Sequence, residues 1–121
     1  MYKLILTLSI LLSFGCTVKP DDLSSNTSST EILRLAEQAK SRKAFKEAGE
    51  FYMEVDRLYP YSDEAREALI QAMKVYHDGS DLTNARLSAR RYLALYPNGP
   101  DASFARYMVC LLYTSPSPRD V

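Results

Sequence analysis

Residues 48–60 read AGEFYMEVDRLYP, and residues 85–97 read ARLSARRYLALYP. The two stretches share an alanine at the start and Leu-Tyr-Pro at the end, and each shared residue recurs after 37 positions. The correspondence continues beyond them, because Ala65 matches Ala102 at the same offset. A period of about 20 to 50 residues is typical of chains that stack one supersecondary unit on the next. The sequence therefore predicts a repeat architecture.

Apolar residues inside each period follow helical spacing. One stripe has the spacing i, i+3, i+4, i+7 and comprises Ile32, Leu35, Ala36 and Ala39. Such spacing places apolar side chains on one face of an amphipathic helix. Along the chain it predicts five helices, at about residues 29–41, 44–59, 62–77, 81–96 and 100 onward. The same spacing assigns six aromatic residues to the core: Phe45, Tyr52, Tyr59, Tyr76, Tyr92 and Tyr96.

The starts of three predicted helices carry capping residues. Ser28 and Glu31 form the pattern of a capping box. Ser62 precedes an acidic first turn, and Asp81 stands before the fourth helix. Because these side chains accept hydrogen bonds from free backbone N–H groups, each one indicates a helix beginning directly after it.

The ends of the helices are marked by glycine and proline. Asp78-Gly79 is predicted to end the third helix, with Gly79 in the left-handed conformation that a helix end often requires. Pro60 and Pro97 follow the second and fourth helices, and proline cannot continue a helix interior. The helices are therefore expected to form hairpins that each close at a proline.

The positions of the small residues and prolines match those of the tetratricopeptide repeat. Ala36, Ala48 and Pro60 occupy its three characteristic positions, and Ala85 and Pro97 occupy two of them again. A bulky methionine takes the third position in the second period. The predicted fold class is all-α, a tetratricopeptide-like solenoid of two hairpins and the first helix of a third, preceded by a signal peptide and a disordered tether. A generic helical bundle is the alternative.

The start of the chain has the features of an export signal. Lys3 precedes an apolar run at residues 4–12, and Gly15 stands directly before Cys16. A basic start, a short apolar region and a small residue before the cut site mark a signal peptide, and the run is too short to span a bilayer. Residues 1–15 are therefore predicted to be the signal, and Cys16 the acylated first residue of a lipoprotein. An ordinary secreted protein is the alternative.

A polar segment separates Cys16 from the repeats. Residues 17–29 are rich in serine and lack aromatic residues, so they are not expected to bury enough surface to order themselves. Residues 16–29 are therefore interpreted as the lipidated cysteine and a flexible tether, which spans about 20 Å on average. Thr17 is not the aspartate that retains enteric lipoproteins at the inner membrane, which favours the outer membrane.

The last residues of the chain look foreign to it. Residues 110–121 read CLLYTSPSPRDV, and the first eleven of them resemble a frame translation of the transposase adapter used to build sequencing libraries. The natural sequence is therefore predicted to be reported only to about Val109, which leaves residues 30–109 as an incomplete repeat domain. The alternative is a genuine C-terminus rich in proline and serine.

Composition excludes several classes of function. Fifteen basic residues balance fifteen acidic ones, so no basic excess indicates nucleic-acid binding. Cys16 is assigned to the lipid and Cys110 to the tail, so no disulfide is predicted. The sequence has no glycine-rich phosphate loop, no cluster with metal-ligand spacing and no carboxylate pair beside a nucleophile. We therefore predict a protein that is not an enzyme, with no metal and no cofactor except the lipid on Cys16.

The combined motifs resemble one family. The lipoprotein start, RLYPYS at residues 57–62 and RRYLALYPN at residues 90–98 are similar to the BamD family, the lipoprotein subunit of the outer-membrane β-barrel assembly machine. The resemblance covers residues 1–109, and the family usually has five such repeats. It implies a non-catalytic, lipid-anchored scaffold at the periplasmic face of the outer membrane.

The resemblance also implies partners. These are the central outer-membrane barrel-assembly protein, its accessory lipoproteins and unfolded outer-membrane protein precursors, with the early repeats proposed to receive the precursors. A different tetratricopeptide lipoprotein, serving pilus or secretin assembly or envelope constriction, is the first alternative. A solute-binding or enzymatic lipoprotein with a repeat at its front is the second.

A peptide-binding groove is predicted on the first helix of each hairpin, since these helices line the concave side of a repeat solenoid. Outside the buried stripe they carry six candidate residues: Glu37, Lys40, Glu67, Ile70, Lys74 and His77. Mixed charges around an apolar centre suit an extended peptide that ends in an aromatic residue and a carboxylate, which Lys40 or Lys74 could meet. The alternative is an ordinary solvated face, with His77 a surface residue.

Overall fold

The computed structural model describes residues 18–113 of the 121-residue chain. Its α-helices are α1 (Ser29–Ser41), α2 (Phe45–Leu58), α3 (Asp63–Asp78), α4 (Leu82–Leu95) and α5 (Ala102–Tyr113). No β-strand occurs among the described residues, so the all-α prediction is confirmed. The predicted signal peptide, Cys16 and most of the tail predicted to be foreign lie outside the described residues.

The helices stack as hairpins in chain order. Each helix packs against the next, and α3 also contacts α1 and α5. The first helices of successive hairpins therefore lie in one row, which confirms the tetratricopeptide-like arrangement of two hairpins followed by the first helix of a third. No helix in the described part of the chain combines the length and apolarity needed to cross a bilayer.

Small residues allow the helices to approach closely. Alanines at the helix crossings, among them Ala36, Ala48, Ala68 and Ala85, are completely buried. Gly49 also allows a close approach, because a Cβ atom at this position would overlap the ring of Tyr76 in α3. The glycine is kept there although alanine favours a helix interior by about 1 kcal/mol.

Large aromatic side chains fill the space between the helices. Tyr52, Tyr76 and Tyr92 are buried, and the other aromatics predicted for the core are partly buried against it: Phe45, Tyr59 and Tyr96. The Tyr92 and Tyr96 rings lie 5.3 Å apart at a tilt of 47°. The assignment of these residues to packing is therefore confirmed.

The turns inside the two hairpins have the same backbone. The first turn, residues 42–44, and the second turn, residues 79–81, are offset by 37 positions. Lys43 in the first has φ 61°, and Ser80 in the second has φ 60°. In each turn a backbone hydrogen bond between residues five positions apart encloses this residue. Ala44 N–H donates to the Ala39 carbonyl at 2.9 Å, and Asp81 N–H donates to the Tyr76 carbonyl at 2.8 Å.

The prediction that Gly79 supplies the left-handed residue is wrong. Gly79 has φ −82°, and its N–H still donates to the Val75 carbonyl, so the left-handed position is one residue later, at Ser80. Gly79 is needed for another reason. A Cβ atom on it would lie 2.8 Å from the Cβ of Phe45, which begins α2 in the neighbouring hairpin.

Three predicted N-caps are formed. The Ser28, Ser62 and Asp81 side chains accept hydrogen bonds from backbone N–H groups three residues later, at 3.3, 3.0 and 3.2 Å. The Glu31 carboxylate is engaged by the Arg34 guanidinium, at 2.6 and 2.9 Å. This ion pair lowers the pKa of Glu31, chiefly through the hydrogen bonds.

The segment expected to be a flexible tether is largely docked on the protein. Pro20–Asp22 form a short 3-10 helix that contacts α2, Leu23 packs on the core, and the Thr27 carbonyl accepts a hydrogen bond of 2.6 Å from the Tyr59 hydroxyl. The segment therefore runs beside α2 and in the same direction. The contacts involve one apolar side chain and one carbonyl of an otherwise polar stretch, and the flexible tether at residues 16–29 stays a prediction.

Candidate functional site

The predicted groove residues lie on α1 and α3. Glu37 and Lys40 belong to α1, and the others belong to α3. Four of the six are exposed, namely Glu37, Glu67, Lys74 and His77, and Lys40 is half-buried. The row of first helices therefore presents a largely charged surface, as expected for either a peptide-binding groove or a solvated face.

A polar network joins three of these residues. Lys40 Nζ donates to Gln71 Oε1 at 3.2 Å, and Gln71 Nε2 donates to Glu67 Oε1 at 2.8 Å. Lys40 also lies 3.7 Å from the Glu37 carboxylate. Since Lys40 is on α1 and Gln71 is on α3, the network ties the first helices of the two hairpins together.

Tyr52 connects this network to the core. Its ring is buried, and its hydroxyl donates a hydrogen bond to the Glu37 carboxylate. Burial, and to a lesser extent the bond to Glu37, raise the pKa of Tyr52 well above its usual value. The hydrogen bond from the buried phenol orients the exposed Glu37 carboxylate.

Two of the predicted residues have other surroundings. Lys74 Nζ lies 6.0 Å from the centre of the Phe104 ring on α5, a distance at which a cation is attracted to an aromatic face. His77 lies 3.8 Å from the carboxylate of Asp78. Both therefore lie apart from the hydrogen bonds around Lys40, and the structure divides the predicted site into two parts.

Ile70 does not form the exposed apolar centre that was expected. Its side chain is only 3% exposed, because α3 has a neighbouring first helix on each side. Tyr107 holds the same repeat position on α5 and is 59% exposed. The repeat position of Ile70 is therefore exposed only further along the solenoid, where it holds an aromatic ring.

A second polar cluster was missed at the sequence level. Asp56 on α2 is 4% exposed, and Arg91 on α4 donates from Nε to its Oδ2 at 2.8 Å. This hydrogen bond is the main cause of the raised pKa of Arg91. Nearby, the Ser88 hydroxyl contacts Met53 Sδ at 3.3 Å. These contacts join the second helices of the two hairpins. They could not be predicted from residue spacing, because it does not show which side chains of the two helices face each other.

The described residues offer no obvious centre for chemistry. No three histidine, cysteine, aspartate or glutamate side chains within them come together in a way that could hold a metal ion. The polar contacts that join the two hairpins include the Lys40–Gln71 hydrogen bond and the Arg91–Asp56 ion pair.

The sequence matches a known family over most of its length. Residues 25–119 match the family model YfiO, described as outer membrane lipoprotein. A relative from Caulobacter vibrioides, named outer membrane protein assembly factor BamD, is 31% identical over 72 residues. The aligned part is 60% of this chain and 24% of the relative, so the chain spans about a quarter of that protein.

These similarities agree with the fold and with the motifs at residues 57–62 and 90–98. The family match extends over more than half of the chain, and the structure has the stacked helical hairpins that the resemblance implied. The resemblance noted in the sequence is confirmed: this chain belongs to the BamD family of outer membrane lipoproteins.

Proposed function

We propose that this chain is the N-terminal part of a non-catalytic scaffold that helps to assemble β-barrel proteins into the outer membrane. The observation that carries the proposal is the family match over residues 25–119, supported by the name of the Caulobacter vibrioides relative. The stacked hairpins suit this role, because repeat solenoids offer extended surfaces to other proteins.

The proposed location is the periplasmic face of the outer membrane. Residues 1–15 would be removed on export, and Cys16 would carry the lipid that anchors the chain. Acyl chains contribute about 0.8 kcal/mol per buried methylene, so more than one chain gives firm anchoring. We propose further that residues 30–109 are the natural repeat region and that residues 110–121 come from library construction, although the family match itself runs to residue 119.

The proposed partners are the central barrel-assembly protein, its accessory lipoproteins and unfolded barrel precursors. For binding of the precursors, we assign different roles to the two lysines of the groove. Lys40 is held by Glu37 and Gln71, so it fixes the wall of the groove. Lys74 lies near the Phe104 ring and forms no ion pair within residues 18–113, so we assign it to the peptide carboxylate.

A peptide-binding measurement tests the groove. The probe is a fluorescent peptide that ends in phenylalanine, with either a free carboxylate or an amide at its C-terminus. A hydrogen bond to a charged group is worth about 1.5–3 kcal/mol, so Lys74→Ala should weaken binding of the free acid about tenfold and leave the amide unchanged. The Lys40→Ala/Lys74→Ala double variant should weaken the free acid at least as much.

The matched control is Lys46→Ala, which removes an exposed lysine from α2 and should not change the affinity. Unchanged binding of the free acid by the double variant would refute the groove assignment. It would leave the scaffold proposal standing, because that proposal rests on the family match and not on the groove.

Copurification from detergent-solubilised outer membranes tests the scaffold role itself. The proposal expects the central barrel-assembly protein to be recovered with the lipidated chain. Recovery of a secretin or of a division-site protein instead would favour the alternative, a tetratricopeptide lipoprotein of pilus assembly or envelope constriction.

A further inference from the structure

A group of basic side chains surrounds the first turn. We use the name basic turn for Arg42, Lys43 and Lys46, all of which are exposed. Lys19 lies close to them, because Lys19 and Lys46 line the same cleft of about 610 Å³ together with Val18 and Phe45. The start of the described chain and the first turn therefore form one surface.

The lysines of this surface are free to bind another partner. Arg42 is paired with Glu47 at 2.5 Å, whereas Lys19, Lys43 and Lys46 form no ion pair within the described part of the chain. Carboxylates are present, since Asp21 and Glu50 also line the cleft, but they neutralise none of these ammonium groups by contact.

The basic residues are not a requirement of the repeat. The second turn has the same backbone, with Ser80 in the place of Lys43 and Thr83 in the place of Lys46. It carries Asp78 and Asp81 instead of cations. The basic charge is therefore a feature of the first turn alone and not of the repeat.

The path of the chain indicates a partner for the basic charge at the first turn. Residues 20–28 are docked along α2, and Val18 lies at the cleft beside Phe45. Cys16 is two residues before Val18, so the backbone places the two residues at most about 7 Å apart. A lipid on Cys16 would therefore bring the bilayer surface to the first turn. The second turn is the next one along the solenoid and adjoins the first, with Gly79 against Phe45, but the cleft beside Val18 and Lys19 is lined from the first turn and the start of α2.

We propose that the basic turn lies against the membrane and that Lys19, Lys43 and Lys46 bind the phosphates of lipid headgroups, which orients the solenoid on the bilayer. This inference rests on the proposed lipid anchor. Basic residues next to an anchor are attracted to anionic lipid surfaces, and lysine side chains reach headgroups while their stems remain on the protein. Because the N-terminal segment is docked on the protein, the solenoid would have one preferred orientation on the bilayer instead of rotating freely about a tether.

Quenching of a fluorophore by headgroup nitroxides tests the orientation. The full lipidated chain, with Cys110→Ser, is labelled at Ser41→Cys near the first turn or at Asp78→Cys at the matching position of the second. Vesicles contain phosphatidylethanolamine, phosphatidylglycerol and a nitroxide-headgroup lipid. The proposal expects several-fold stronger quenching of the probe at residue 41 than of the probe at residue 78.

Charge reversal separates electrostatic orientation from simple proximity. Lys43→Glu with Lys46→Glu should remove most of the difference between the two probes, and high salt should reduce it. The matched pair Ser80→Glu with Thr83→Glu should leave it unchanged. Equal quenching of the two probes in the wild-type sequence would overturn the proposed orientation.

Mass spectrometry of the same sample distinguishes this failure from failure of the anchor. If Cys16 carries no acyl chains, the anchor and the orientation are both wrong. If Cys16 is acylated and the two probes are quenched equally, only the orientation is wrong, and the scaffold role remains open to the copurification test.

Discussion

The first turn and the second turn share a backbone but have almost no sequence in common. Their left-handed residues, Lys43 and Ser80, have φ values within a degree of each other, and neither is the glycine that a helix end usually prefers. The one glycine in these turns, Gly79, is explained by its neighbour Phe45. Turn geometry in this solenoid is therefore set by the repeat, whereas turn composition is set by what each turn contacts.

The largest expected difference between the hairpins concerns one buried position. Tyr92 in α4 is completely buried, and its hydroxyl accepts a hydrogen bond from the Asp101 N–H at 3.2 Å. Tyr92→Ala should destabilise the chain by about 3–5 kcal/mol, as for other large aromatic residues removed from a core. Urea unfolding followed by circular dichroism measures this loss.

The matched variant is Val55→Ala, at the same repeat position of the first hairpin, where the side chain is also completely buried. It should cost clearly less, because fewer atoms are removed and no loop contact is lost. Equal losses of unfolding free energy in the two variants would contradict the structure, because they would mean that Val55 and Tyr92 contribute equally to stability.

The next effect compares the two turns directly. Gly79→Ala would place a Cβ atom 2.8 Å from that of Phe45, and overpacking of this kind typically costs about 1–3 kcal/mol. Arg42→Ala, at the corresponding position of the first turn, removes only an exposed pair with Glu47 and should cost less than about 1 kcal/mol. A denaturant series on both variants gives the comparison, and a neutral Gly79→Ala would show that Phe45 can move aside.

A third comparison should give equal results in the two turns. Lys43→Gly and Ser80→Gly each relieve a left-handed conformation that costs an ordinary residue about 1–2 kcal/mol. Part of the gain is offset by the greater freedom of glycine in the unfolded chain, so each variant should be stabilised by about 0.5–1 kcal/mol. Thermal unfolding measures both, and destabilisation of either variant would indicate that its side chain makes a contact of its own.

The smallest effect concerns the start of α1. Glu31 has a lowered pKa because of Arg34, and α3 has an alanine at the equivalent position. A carboxyl whose folded pKa is depressed stabilises the protein above its ordinary value of 4.5 and loses this contribution as the pH falls through the lower folded value. Stability should therefore fall slightly more between pH 6 and pH 3 in the wild type than in Glu31→Gln. Identical pH profiles from unfolding experiments would mean that this exposed pair contributes nothing.

The fold was predictable from the sequence because its determinants are local and repeated. Alanines at helix crossings, prolines after hairpins and capping residues such as Ser62 and Asp81 each indicate one feature, and the 37-residue period makes them agree. The bounds of α1 were predicted correctly, and those of the other helices lie within about two residues of the prediction.

The features that sequence reasoning missed depend on distant neighbours. Gly79 was assigned the left-handed position because that is the usual place for glycine, and the contact with Phe45 could not be known without the stack. The docking of residues 20–28 depends on Leu23 and Tyr59, which are separated by a whole hairpin. Gln71 on α3 became part of the candidate site only because it accepts a hydrogen bond from Lys40 on α1.

The equal spacing of the two hairpins has a consequence for how such a chain can lengthen. The bounds of α4 are those of α2 shifted by 37 residues, and the end of α3 is the end of α1 shifted by the same number. A duplication of 37 residues starting anywhere within a hairpin therefore restores both the helix ends and the turn geometry at its junction. Growth by unequal recombination would need no new turn, only adjustment of side chains such as those at positions 45 and 79, where one unit meets the next.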